Sequence, residues 1–293
     1  MKEYRKSVAL VGSSHAESLR TIERCRTTEC ASFILYGDEE ATYSCAKELG
    51  IDLTGVHMVP TESPSDSCMQ AMEAAARGNV QVLIKGTVHT ADLLKAILNK
   101  EYGLLSEGAL LSHVARLELP WYHKPLLLSD AAVSILPDID TKVQIIQNAV
   151  SVAHRLGIEE AKVALVCPVE TANPRIVSTT DASQIVFLQK NTTIFSQAVI
   201  EGPFGLDVAL SVQAAKIKRI EGSVPGQADI LIFGNLDAAN ATYKAFLSAP
   251  GVLSAGIVVG AKLPIVLTSR SESMETREAS IRLALSISDH VSS

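Results

Sequence analysis

The sequence lacks the residue spacings that build the common metal and nucleotide sites. Its seven histidines show neither H-x-x-x-H nor H-E-x-x-H spacing, and no group of aspartates suggests a cage for a divalent ion. A G-x-S-x-G motif is absent as well, which excludes the usual α/β-hydrolase nucleophile. One glycine, Gly12, follows the first strand-like run, which is too little for a dinucleotide fingerprint or a Walker loop. We therefore expect no bound metal and no permanently bound cofactor.

Paired cysteines and positive charge are also scarce. The five cysteines are odd in number and none has C-x-x-C spacing, which favours reduced thiols over a disulfide framework. The net charge of −6 argues against a general nucleic-acid binder, because no excess of Lys and Arg can neutralise phosphates. No apolar run is long enough to span a bilayer, and no signal-peptide core precedes the first strand. We expect a soluble, cytoplasmic protein that binds neither nucleic acid nor membrane.

What the sequence does contain is typical of an α/β fold in two domains. At 293 residues the chain can form two cores, and its apolar fraction of 47% comes mainly from Ala, Leu, Ile and Val. Short apolar runs alternate with segments of helical periodicity. Predicted strands include 7–12, 32–37, 80–86, 162–167 and 229–234, and predicted helices include 139–155, 183–189, 193–200, 207–218 and 238–247. We place the linker at 120–125, which predicts one domain from 1–124 plus 261–293 and another from 125–260.

The stretch 256–273 is the main candidate for a reactive site. An apolar strand, a short turn and a second strand lead into Ser269 and Arg270, just before a helix that begins near Met274. Ser271 or Ser273 is the predicted N-cap of that helix. Free N–H groups, the positive end of the helix dipole and a guanidinium together favour an anion site. The competing interpretation is a capped loop with an exposed arginine.

Other candidate site residues also lie at the ends of predicted strands or at the starts of the helices that follow. Lys85 ends a predicted strand, where open α/β sheets bind ligands, although a solvated lysine is the ordinary alternative. Thr90 is the predicted cap of the helix that follows. Cys167 also ends a strand and is either a nucleophile or inert packing. Polar residues crowd three further strand and helix junctions, which suggests one shared cleft; they include Asp207, Ser223, Gly226, Asn235, Asn240, Tyr243 and Lys244.

These residues carry a resemblance to a known family. The ordered set is Gly202, Pro203 and Asp207; Ser223, Pro225, Gly226 and Asp229; Asn235, Asn240, Tyr243 and Lys244; and Gly260, Lys262, Pro264, Ser269 and Arg270. It resembles the phosphate acetyltransferase and phosphate butyryltransferase family. Upstream residues look like the butyryl branch: Lys85, Gly86, Thr90 and Asp92; Ser112 and His113; Ser129 and Asp130; and Pro137 and Asp138. The resemblance covers roughly residues 80–285, and the ordered set is specific although each piece alone is weak.

The resemblance implies an enzyme that moves an acyl group between coenzyme A and inorganic phosphate. It implies two α/β domains with a cleft between them, as in isocitrate and isopropylmalate dehydrogenases, and a homodimer or larger homo-oligomer. A functional link to an acyl kinase is a further implication. The catalytic pair falls on Ser269 and Arg270. The implied phosphate and coenzyme A ligands are Lys85, Thr87, Ser112, Asp130, Ser223, Gly226, Asn240, Tyr243, Lys244, Gly260 and Lys262.

Two departures from the family pattern affect the expected chemistry. Thr276 stands where the acetyl branch has an Asp that is the family's proposed base, and Ala239 stands where Gly is usual. Thr276 favours a non-acetyl branch. With no acyl-carrying Cys or Ser beside a base, we expect direct transfer in a ternary complex. Phosphate acetyltransferase and a non-catalytic acyl-CoA or phosphate sensor remain alternatives, whereas a dehydrogenase is disfavoured by the missing metal-binding aspartates.

Overall fold

The structure is a computed structural model that describes residues 6–27, 31–267 and 272–288. Up to the middle of the chain its elements are β1 (Ser7–Val11), α1 (Ala16–Thr27), β2 (Ser32–Gly37), α2 (Glu39–Leu49), β3 (His57–Pro60), α3 (Pro64–Ala76), β4 (Val82–Lys85), α4 (Thr90–Ile97), β5 (Ser112–Glu118), β6 (Leu126–Ser129) and α5 (Ile139–Arg155). The later elements are β7 (Ala161–Val166), α6 (Val177–Asn191), β8 (Ala198–Phe204), α7 (Leu206–Leu210), α8 (Val212–Lys218), β9 (Ile230–Phe233), α9 (Leu236–Leu247), β10 (Leu253–Val259), β11 (Ile265–Val266) and α10 (Met274–Ile287).

The chain forms two compact units, one from 1–109 and 255–293 and the other from 110–254. The sequence placed the first division after 124, which would separate β5 from β6. These strands pair antiparallel, with Ala115 opposite Leu128, so they share one unit. The second division also comes earlier than predicted, because β10 pairs with β11 of the first unit through Val258 and Ile265.

The first unit is built on a mainly parallel sheet. Its strand order is β3-β2-β1-β4-β11-β10, and only β10 runs against its neighbour. The central strands β1 and β4 are almost continuously apolar and buried, as expected for parallel strands covered on both faces. Their carboxyl ends therefore share one edge with the end of β11.

The second unit has the strand order β5-β6-β9-β7-β8, with β5 antiparallel and the others parallel. Alternate residues of these strands face opposite sides of the sheet. Leu128, Leu231 and Val166 lie in the core that includes Val208 of α7 and Ala239 of α9. The other face is covered by α5, whose buried side is a row of Val, Ile and Ala residues.

Local capping explains where the long helices begin. Asp138 accepts the N–H of Thr141 at 2.8 Å at the start of α5, and Asn235 accepts that of Ala238 at 3.0 Å at the start of α9. Ser273 caps α10, which confirms one of the two predicted caps; the other, Ser271, lies outside the described residues. Within the ranges that the structure covers, no helix is both long and apolar enough to cross a bilayer.

Three sequence predictions of local structure are wrong. The predicted helix at 193–200 is instead a non-helical turn over 193–197 followed by the start of β8, where Ala198 pairs with Ala161 of β7, because a short apolar run fits a strand as well as a helix. Thr90 is the first residue of α4 rather than its cap, which is His89. The predicted helix at 207–218 is two short helices, since Ser211 leaves helical geometry and caps the second.

The carboxyl ends of β1 and β4 meet backbone to backbone. The N–H of Gly86 donates to Val11 O at 2.8 Å, and that of Thr87 donates to Gly12 O at 2.9 Å. A Cβ on Gly86 would lie 1.9 Å from Gly12 O, a distance that real Cβ contacts do not reach. Only glycine at position 86 allows this approach.

The outer edge of β8 is covered by a side chain of its own unit. The amide of Gln189 on α6 donates to Ala198 O at 2.9 Å and accepts the N–H of Ile200 at 3.0 Å. These two bonds use the same backbone groups that a neighbouring strand would use. Gln189 thus takes the place of a strand at this edge.

We expect Gly86→Ala to lower the free energy of unfolding by about 3 kcal/mol or more, because the added methyl group meets a backbone carbonyl that cannot move aside. Urea unfolding measures the change. Gly108→Ala is the matched control: Gly108 has a positive φ of 75° but an open environment, so its cost is about 1–2 kcal/mol from backbone strain alone. Equal losses in the two variants would contradict the close contact.

Candidate active site

The carboxyl edge of the first unit holds two of the predicted binding residues. Lys85 ends β4 half-buried, and its ammonium donates to Gly86 O at 3.1 Å and Val88 O at 3.3 Å. Thr87 is exposed on the turn that follows, with its backbone fixed by Gly12. An ammonium and a hydroxyl beside a strand end are suitable ligands for an anion.

The strand β11 ends at the same edge. Val266 pairs with Ile84, so the next residue, Leu267, comes level with Lys85. Ser269 and Arg270, the predicted catalytic pair, lie outside the described residues. The chain is described again from residue 272, immediately before the cap of α10.

Thr276 takes part in the cap of α10. Its N–H donates to Ser273 Oγ at 3.2 Å, and the two hydroxyl oxygens are 3.3 Å apart. A threonine hydroxyl is not a base at neutral pH, so position 276 holds a capping residue rather than the carboxylate of the acetyl branch.

Two further predicted residues of this unit lie at the opposite edge. Because β10 runs antiparallel to β11, the turn that carries Gly260 and Lys262 is beside the amino end of β4. Lys262 is exposed, and its N–H donates to Leu104 O at 2.8 Å. The length of the four-residue strand β4, about 13 Å, separates this turn from Lys85.

In the second unit, Asp130 organises the carboxyl end of β6. Its carboxylate is buried and accepts the backbone N–H groups of four residues at 3.0–3.2 Å: His113, Ala132, Val133 and Ser134. Oδ1 accepts three of these bonds and Oδ2 accepts the bond from Ser134, so both carboxylate oxygens have a backbone partner. Asp130 therefore shapes the loop after β6 and ties it to β5.

Four other predicted residues of this unit gather around that loop. Asn240 donates its amide to Ala131 O at 2.9 Å, which joins α9 to the loop. Ser112 is fully buried and accepts from the amide of Asn148 at 2.9 Å. Tyr243 is buried and the neighbouring Lys244 is exposed, with its ammonium 5.5 Å from the centre of the Tyr243 ring. Such a cation–π contact leaves the ammonium open to an anion.

His113 belongs to the butyryl-branch pattern of the sequence but was not named there as a ligand, and it lies at the centre of this cluster. Its ring packs edge-on against Tyr243 with 6.0 Å between ring centres, and its buried Nδ1 has no hydrogen-bond partner among the described residues. Burial lowers the pKa of His113; the carboxylate of Asp130 opposes this shift and the ammonium of Lys244 adds to it. The imidazole is therefore neutral at neutral pH. Its place in the butyryl-branch pattern, beside Ser112, was the signal in the sequence that could have found it.

Ser223 and Gly226 lie elsewhere, on the loop that enters β9 from its amino end. The N–H and Oγ of Ser223 donate to the carboxylate of Glu201 at 3.2 and 3.3 Å. Gly226 has a φ of 71° and donates to Val208 O at 2.9 Å, and a Cβ on it would lie 2.3 Å from Val212 N. The contacts of both residues fix this loop, and the structure does not bring them to the cluster around Asp130.

Cys167 directly follows β7, and its side chain packs against the start of α6. It is buried, and its thiol donates to Ser178 O at 3.2 Å. Burial raises its pKa to about 11. Because the thiolate is the nucleophilic form, Cys167 is suited to packing rather than to catalysis.

Residues 61–284, most of the chain, match the phosphate acetyl/butaryl transferase family. The chain belongs to this family. Its relatives include a phosphate butyryltransferase of Clostridium beijerinckii, 38% identical over 279 residues that cover 95% of this chain and 92% of the relative. A phosphate acetyltransferase of Thermotoga maritima is 33% identical over 95% of this chain and 94% of its own. Membership confirms the predicted enzyme class, a phosphate acyltransferase.

Solved structures confirm the predicted fold class. A branched-chain phosphotransacylase from Enterococcus faecalis V583 has a TM-score of 0.85 and 32% identity, and the match covers 96% of this chain and 98% of that one. A 4-hydroxythreonine-4-phosphate dehydrogenase from Klebsiella pneumoniae has a TM-score of 0.54 at 12% identity, covering 97% and 99% of the chains. That weaker likeness shows only that this transferase family and a dehydrogenase share a fold.

In this member of the family, most of the predicted ligands thus form two groups, one within each unit. Lys85 and Thr87 are together at the carboxyl edge of the first sheet. The group at the carboxyl edge of the second sheet contains Ser112, Asp130, Asn240, Tyr243 and Lys244, with His113 added. Within the first unit, Gly260 and Lys262 lie apart from Lys85 and Thr87. Within the second unit, Ser223 and Gly226 lie apart from the group around Asp130.

We expect Cys167→Ala to keep its acyl-transfer activity within about two-fold, because a thiol with a pKa of about 11 is ionised in roughly one molecule in a thousand at pH 8. The measurement is the rate of acyl-phosphate formation by the intact chain and by Cys167→Ala, each before and after treatment with iodoacetamide. Cys68, also buried with a pKa of about 11, gives the control variant Cys68→Ala. Loss of activity in Cys167→Ala alone would contradict the assignment of Cys167 to packing.

Proposed function

We propose that this protein transfers a short acyl group, of four carbons or branched, between coenzyme A and inorganic phosphate. The observation that carries the proposal is the family match over 61–284 together with 38% identity to a phosphate butyryltransferase. The likeness to the branched-chain phosphotransacylase of Enterococcus faecalis V583 supports the branched alternative. Coenzyme A and phosphate are then substrates, and no permanently bound cofactor is part of the proposal.

In the proposed reaction a phosphate oxygen attacks the thioester carbonyl carbon. The carbon–sulfur bond breaks, the acyl phosphate leaves, and the proton from phosphate ends on the sulfur of coenzyme A. Arg270 holds the phosphate and offsets the charge that develops on the carbonyl oxygen, and Ser269 donates a hydrogen bond to that oxygen or to the departing sulfur. Lys85 and Thr87 at the carboxyl edge of the first sheet supply further contacts to phosphate.

The transfer is direct, in a complex that holds both substrates at once. The buried, protonated thiol of Cys167 supports this proposal, since it offers no acyl carrier at the edge of the sheet. Correct placement of two reactants contributes about 7–11 kcal/mol in well-oriented reactions. A strong base at position 276 is therefore not required.

Lys244 is the residue of the second unit that we assign to the phosphate groups of coenzyme A. Its ammonium is exposed and is oriented by the ring of Tyr243. Ser112, Asp130 and Asn240 act by fixing the backbone around it. For Ser223, Gly226 and Lys262, the contacts described above support roles in loop structure. We propose no direct contact with substrate for these three residues or for Gly260, which lies on the same turn as Lys262.

The proposal includes a homodimer or larger homo-oligomer in the cytoplasm. The cytoplasmic location is inferred from the odd number of cysteines without C-x-x-C spacing. An acyl phosphate is a reactive mixed anhydride, so we also propose a kinase that consumes it. Phosphate acetyltransferase is the second candidate, because the family includes that activity and Thermotoga maritima supplies a relative at 33% identity.

The first experiment is the phosphate-dependent release of coenzyme A from acetyl-, butyryl- and isobutyryl-CoA, followed with a thiol reagent. We expect the four-carbon substrates to give the highest kcat/KM. A higher value for acetyl-CoA would move the protein to the acetyl branch despite Thr276. Binding of acyl-CoA without release from any of the three would favour a non-catalytic sensor.

We expect Arg270→Ala to lower kcat by at least about 10²-fold and Ser269→Ala by about 10²–10³-fold, the cost of losing one donor to a developing oxyanion. Turnover at saturating phosphate and acyl-CoA measures both. Arg282→Ala is the control, since Arg282 pairs on the helix surface with Glu278 at 2.8 Å. Full activity of Arg270→Ala under these conditions would rule out its catalytic role.

A further inference from the structure

Two neighbouring side chains on the loop after β6 are unusually exposed for aliphatic residues. Ile135 is 74% exposed and Leu136 is 79% exposed. In the described ranges they are the only large apolar residues of such exposure that are adjacent in sequence. Single exposed aliphatics are common on protein surfaces, but an adjacent pair is less so.

The loop that presents them is fixed at both ends. Asp130 accepts N–H groups at its start, and the N–H of Leu236 at the beginning of α9 donates to Ile135 O at 3.0 Å. Buried Pro137 restricts the backbone of Leu136, and Asp138 then caps α5. The exposure of the pair is thus a property of a well-anchored loop.

The pair lies beside the edge where the second unit is expected to bind ligands. Ile135 is hydrogen-bonded to the residue that starts α9, directly after β9. On the other side of β9, Gly234 approaches Ser178 so closely that a Cβ would lie 2.7 Å from Ser178 Cβ, and the next residue back, Val177, is 66% exposed. Aliphatic side chains therefore flank the carboxyl end of β9 on both sides.

The charges around the loop disfavour the phosphate groups of acyl-CoA and leave its neutral acyl chain as the suitable ligand. Asp138, Asp140 and Asp237 are exposed close to the pair along the chain or at the start of α9. Their carboxylates repel phosphate groups, whereas the acyl chain is neutral and aliphatic. The acyl chain is thus the portion of acyl-CoA that suits this surface.

We propose that Ile135 and Leu136 contact the acyl chain of acyl-CoA and determine its preferred length. The inference rests on the proposed function, which supplies the acyl-CoA. One methylene enclosed in a hydrophobic pocket is worth about 10–200-fold in discrimination, so a partly exposed pair of aliphatic side chains can distinguish butyryl from acetyl at the lower end of that range. A second copy of this chain covering the pair is the competing outcome.

The test compares Ile135→Ala, Leu136→Ala and the double variant with the intact chain. Ile217→Ala is the matched control, because Ile217 on α8 has the same exposure of 74% as Ile135. Two ratios are measured, each for butyryl-CoA over acetyl-CoA. The first is the ratio of the kcat/KM values, and the second is the ratio of the binding constants from titration calorimetry. Binding is included because it reports on the acyl contact even without turnover.

We expect both ratios to fall about 10-fold in the double variant, because kcat/KM and affinity for butyryl-CoA decrease. In the same variant the values for acetyl-CoA should change less than two-fold. Both ratios should also change less than two-fold in Ile217→Ala. Leu136→Met, which keeps the aliphatic volume, should retain the preference. Unchanged ratios in an active double variant would overturn the inference but leave the proposed function intact. Unchanged ratios with a smaller species in size-exclusion chromatography would assign the pair to a subunit interface instead. An intact chain that neither binds nor converts any acyl-CoA would overturn both proposals.

Discussion

The buried carboxylate of Asp130 accepts four backbone N–H groups, and the arrangement of the second unit's ligand edge follows from them. One bond reaches β5, and the other three set the direction of the chain as it leaves β6. Because Asn240 donates to Ala131 within that loop, α9 is held to the same point. Tyr243 and Lys244 come to His113 as a result. A single charged group thus aligns two strands, a loop and a helix without being exposed to solvent.

The sequence predicted local structure well where periodicity and caps agree. Helix α5 was predicted at its observed bounds, since Asp138 marks its start and a regular apolar stripe continues to Arg155. The failure at β8 has a physical reason: a short apolar run does not distinguish helix from strand, and pairing with β7 decides the outcome. Pairing partners distant in sequence cannot be read from one segment.

The candidate site shows the same limit at the level of side chains. The motif order identified the family, but it could not say at which edge of a sheet each residue lies. Gly260 and Lys262 are near Arg270 in sequence, yet the reversal of direction between β10 and β11 carries them to the other edge from Lys85. Ser223 looked like a ligand because its partner, Glu201, is distant in sequence. His113 belonged to the butyryl-branch pattern, but a pattern does not show that its ring is buried against Tyr243.

The bonds between Gln189 and the outer edge of β8 have a consequence for how copies of this chain meet. A bare edge strand invites another chain to extend the sheet, which is a common route to aggregation. Here the amide occupies the donor and acceptor that such an intruder would need at Ala198 and Ile200. The contact therefore disfavours extension of the sheet by another copy of the chain at these two positions of β8.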